Sequence, residues 1–63
     1  MSAESLLADA NAAFVDEDFD GAASLYDEAV KASNNSPSLQ LLLARAANSI
    51  KRKQYQGKNY LNH

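Results

Sequence analysis

Four carboxylates within five positions, Asp16, Glu17, Asp18 and Asp20, are the densest group of side chains in this chain that could do chemistry. Clustered acids are what a calcium loop supplies, but Phe19 interrupts the oxygen ligands here and the bidentate Glu such a loop needs at its twelfth position is missing. No metal site is expected. The single histidine, His63, has no second ligand or base partner at useful spacing, and the chain has no cysteine, so thiolate sites, disulfides and a nucleophile–base pair are not indicated. No Gly-rich phosphate loop is present. The basic run Lys51-Arg52-Lys53 has the composition of a nucleic-acid or nuclear-localisation patch, but three cations also suit the C-terminal end of a helix, where they meet the negative end of its dipole. We read that run as structural. No catalytic residue, no cofactor and no nucleic-acid partner is expected, and the chain reads as a non-enzyme.

What must position these groups follows from composition and apolar spacing. With 63 residues, 46% of them hydrophobic, a mean hydropathy of −0.43, two glycines and one proline, the chain is expected to form one soluble, mostly helical domain. The N-terminal residues lack a basic and apolar leader, and no window approaches the roughly 18 apolar residues of a membrane span, so neither secretion nor insertion is expected. The cytoplasm is the expected compartment, with the nucleus also open. All eight acids lie at or before Glu28 and all six bases at or after Lys31. Such a split favours packing acidic helices beside a basic one, and it also allows two copies to associate.

Ser2 can cap a first helix over about 3–15, in which Leu6, Leu7, Ala10, Ala13 and Phe14 form one stripe. Asp18 suits the N-cap of a second helix over about 19–33, with Phe19, Ala22, Leu25, Tyr26, Ala29 and Val30 on one face. Asn34-Asn35 tolerates the left-handed conformation that stops a helix, and Ser36-Pro37 offers a cap and a proline at the first helical position. A third helix is therefore expected over about 37–53, with Leu39, Leu42, Leu43, Ala46, Ala47 and Ile50 on a broad apolar face that Leu41 widens. Residues 57–63 read as a flexible tail, so the domain spans 1–56. Small residues at Ala10, Ala13, Ala22 and Ala29 let two antiparallel helices approach closely, and Phe14, Phe19 and Tyr26 fill the space around that contact.

Ala10, Ala22 and Ala29, with aromatics at Phe19 and Tyr26, stand at the spacing of a tetratricopeptide repeat, which this segment resembles. Arg45-Ala46-Ala47 followed by Gln54-Tyr55 is similar to the first half of a second repeat. Within the family, Ala12 to Phe19 is most similar to the opening of the N-terminal repeat domain of plant Sgt-type co-chaperones, which assist chaperone and ubiquitin-ligase complexes, including those that assemble immune receptors. The resemblance covers about residues 3–56 and implies an all-α fold: an antiparallel helix-turn-helix repeat plus a third helix, about one and a half repeats. It also implies a protein-binding groove on the first and third helices, with Asn11, Val15, Arg45, Asn48 and Arg52 as candidate contacts. The carboxylate clamp of family members that bind chaperone tails maps onto Leu7, Asn11 and Ala44, of which only Asn11 fits.

The second repeat should begin its second helix near Gln56, yet the residues that follow offer only Tyr60 and Leu61, so the array reads as truncated. Two readings follow. One is an interaction module that receives a partner peptide or helix. The other is a structural domain that self-assembles into a homodimer through the exposed third-helix face of Leu39, Leu42, Leu43 and Ile50.

Overall fold

The computed structural model describes the backbone of residues 2–61 and the side chains of residues 2–56. Among these residues the fold is all-α, a helical hairpin with a third helix laid against it: α1 Ala3–Val15, α2 Phe19–Ala32 and α3 Leu39–Leu61. The first two helices begin where their caps stand. Ser2 Oγ accepts from the Ser5 amide at 3.1 Å, and the Asp18 carboxylate accepts from the Gly21 amide at 3.1 Å, so each satisfies an amide that the first turn leaves free.

The turn between α1 and α2 closes as a Schellman motif. The Glu17 amide donates to the Phe14 carbonyl and the Asp18 amide to that of Ala13, with Glu17 at φ 63° in the left-handed region. Asn34 and Asn35, at φ 58° and 63°, end α2 as their residue type allows.

Ala10, Ala22 and Ala29 are fully buried at the α1–α2 contact, with Leu6 and Tyr26 beside them. The absence of bulk at these three positions is what lets two helix backbones approach and bury a tyrosine. The Tyr26 hydroxyl donates to Asn11 Oδ1 at 2.6 Å. Its burial pushes the phenol pKa above its ordinary value.

The third helix departs from the sequence-based expectation at both ends. It begins at Leu39, not Pro37: Ser38 is the cap, its hydroxyl accepting from the Leu41 amide at 3.1 Å and its carbonyl from the Leu42 amide. Ser36 belongs to the preceding turn instead, its amide donating to the Ser33 carbonyl. Nor does α3 stop at Lys53. It runs to Leu61, through the place where a second repeat would turn and through most of the expected tail. Residues 62 and 63, His63 among them, lie outside the described residues.

The docking face of α3 is also different. Leu41, 2% exposed, is its buried anchor, and Ala44 and Asn48 lie on the same side. Leu39, Leu42, Leu43 and Ile50 remain largely exposed. α3 packs chiefly on α2 and touches α1 little, which is the pairing that the charge split favours: Arg45 meets Asp27 at 2.9 Å and Arg52 meets Asp20 at 2.7 Å.

Candidate protein-interaction surface

The cap of α2 places Phe19 at the corner of the hairpin, between the end of α1 and the far half of α3. Phe14 packs edge-on against it, with ring centroids 5.7 Å apart at 70°, and Tyr55 lies on its other side, also at 5.7 Å and tilted 59°. These separations fall in the range of favourable aromatic pairs, worth about 0.5–1.5 kcal/mol each beyond burial. The rings form one wall of an open cleft of about 460 Å³. Val15, 78% exposed, extends the apolar lining, while Glu17 stands on the turn side and Lys51 and Gln54 on the α3 side. An apolar floor with a few polar groups at the rim is suited to an apolar side chain of a partner, with the rim fixing its orientation.

Asn11, Val15, Arg45, Asn48 and Arg52, the residues proposed for a groove on the first and third helices, are not gathered there. Only Val15 lines the cleft. Asn11 is occupied as the acceptor of the Tyr26 hydroxyl. Arg45 and Arg52 are turned to α2 and paired with its aspartates. Asn48 is buried, 1% exposed, and its Nδ2 donates to the Phe19 carbonyl at 3.0 Å; its Oδ1 has no partner among the described residues. The physical reason is common to the three α3 residues: they share the helical face of Leu41, and that face docks on the hairpin. Asn48 thus positions Phe19 rather than meeting a ligand. Sequence reasoning missed the rest of the lining: Phe14 and Phe19 were read as core filling and Glu17 as part of the turn, while Lys51, Gln54 and Tyr55 lie where the third helix was expected to end.

The acidic turn is used structurally as well. Counted from Asp16, Gly21 stands at the sixth and Asp27 at the twelfth position, the outline of a calcium loop. From Phe19 onward, however, the chain is helical. Asp18 caps that helix and Asp20 and Asp27 face arginines, and no group of three metal-ligating side chains converges among the described residues. No helix among them is long and apolar enough to cross a membrane. Searches against family models, curated proteins and solved structures found no match for the chain.

Proposed function

We infer that this chain is a non-catalytic protein-interaction module of tetratricopeptide type, acting as a co-chaperone adaptor does and receiving a helix or peptide from another protein. The observation that carries the reading is the open aromatic cleft at the hairpin corner, in which the exposed Val15 and Tyr55 flank the half-buried rings of Phe14 and Phe19. The repeat assignment is supported by the fully buried Ala10, Ala22 and Ala29 beside Tyr26, the small-residue contact on which such a hairpin depends. An adaptor working in the cytoplasm or nucleus beside chaperone or ubiquitin-ligase complexes accords with this reading. Grip on an acidic chaperone tail does not: Leu7 offers no charge, Ala44 is packed against the core, and Asn11 is taken by Tyr26.

The test is selection from a displayed peptide library on the wild-type protein, followed by affinity measurement on Val15→Glu and Tyr55→Ala. Binders that lose tenfold or more on both variants, with helicity unchanged by circular dichroism, support the cleft. Binders indifferent to both variants contradict it.

A further inference from the structure

On the side of α3 away from the hairpin, Leu39, Leu43, Ala46 and Ile50 follow one another at intervals of four, three and four residues, the spacing of a coiled-coil seam. The three large ones are 59–70% exposed. Only one charged residue lies between Leu39 and Ile50, Arg45, and it is turned to Asp27 on α2. The stripe is therefore apolar and uncharged along about 18 Å of helix.

We propose that a second copy of this chain covers this stripe, with the two α3 helices antiparallel about a two-fold axis midway between Ala44 and Arg45. This surface is separate from the aromatic cleft, and the inference does not depend on it. The interval pattern reads the same in both directions, so the two-fold axis sets Leu39 opposite the copy's Ile50, and Leu43 opposite its Ala46. Bulky residues thus face a small one at the centre, which is how facing layers interdigitate.

Charge selects the antiparallel sense. The next seam position is Lys53, and α3 carries no acid at all. Parallel pairing would bring each copy's Lys53 beside the same residue of its partner. Antiparallel pairing separates the two lysines and sets each beyond the partner copy's Leu39, where no like seam charge faces it. The contact involves few side chains and falls below about 1,200 Å², the size class of weak and transient encounters, so dimerisation is expected only at high protein concentration.

Because the chain has no cysteine, its geometry can be trapped. Sedimentation equilibrium from micromolar to millimolar concentration should show a monomer–dimer equilibrium, weakened at least tenfold by Leu43→Lys with helicity unchanged. Under oxidation, an equimolar mixture of Leu43→Cys and Ala46→Cys chains should form the mixed disulfide in preference to either like pair. A chain that stays monomeric throughout, the outcome expected if another protein covers the stripe, overturns the proposal. So does a dominant Leu43→Cys homodimer, which parallel pairing or a shifted antiparallel register gives. Dimerisation that Leu43→Lys leaves intact places the contact elsewhere and overturns it as well.

Discussion

Leu41 and Leu43 are chemically identical and two residues apart, and the fold gives them opposite fates. Leu41 is 2% exposed between α2 and α3, whereas Leu43 is 61% exposed on the outer side. Truncating Leu41 to alanine removes about three buried carbon groups at about 0.8 kcal/mol each, roughly 2.4 kcal/mol of transfer energy. The cavity left behind brings the cost into the usual range of about 2–5 kcal/mol. A core this small supplies only about 3–5 kcal/mol in total, so Leu41→Ala should lose most or all of its cooperative unfolding transition. Leu43→Ala, mostly in solvent already, should cost the monomer about 0.5 kcal/mol or less. The assay is urea denaturation followed by circular dichroism, at the lowest concentration that gives a signal so that self-association does not contribute. Leu41→Val, with a smaller truncation, keeps the comparison measurable if Leu41→Ala does not fold. Equal effects at the two positions, or a larger one at Leu43, would refute the assignment of the docking face of α3.

Tyr26→Phe should cost about 1 kcal/mol at neutral pH through loss of the hydrogen bond to Asn11. Burial raises the Tyr26 pKa above its ordinary 10.0, so the stability it contributes is complete below pH 10 and lost as pH rises through the folded-state value; the gap between wild type and Tyr26→Phe should close above pH 10 in pH-resolved thermal melts. Gly21→Ala should fail to deliver the roughly 0.8–1 kcal/mol that helix propensity offers, because the added methyl overlaps the Asp18 carboxylate that caps α2; chemical denaturation of Gly21→Ala beside Asp18→Ala would show whether the cap is lost in both. Glu17→Gly should stabilise by up to about 1 kcal/mol by removing a side chain from a left-handed position, measurable as a raised denaturation midpoint. Arg52→Gln should cost less than about 1 kcal/mol, and that difference should vanish in high salt, since its ion pair with Asp20 is solvent-exposed.

The first two helices were legible because each carries a single apolar stripe, a capping residue before it and a stop after it. Ser2, Asp18 and Asn34-Asn35 are all used as their chemistry suggests. The third helix was harder for a physical reason: it has two stripes at helical spacing. Leu39, Leu43, Ala46 and Ile50 are the more apolar, but Leu41, Ala44 and Asn48 dock. Hydrophobicity cannot choose between them when the docking stripe contains a buried asparagine whose value lies in one hydrogen bond to the Phe19 carbonyl. The end of α3 was misplaced because Lys51-Arg52-Lys53 suits a C-terminus, yet the helix continues past it and Tyr55 packs at a tilt against Phe19. The same error hid the α3 side of the cleft, since Gln54 and Tyr55 were assigned to its end.

The most direct test of the proposed interaction surface is to titrate a library-selected peptide into the isotope-labelled protein and map the backbone amide shifts by NMR. The account predicts that the largest changes cluster at Phe14–Phe19 and Lys51–Tyr55, around the aromatic cleft. Changes confined to the outer stripe from Leu39 to Ile50, or to the Asn11 face of α1, would contradict it.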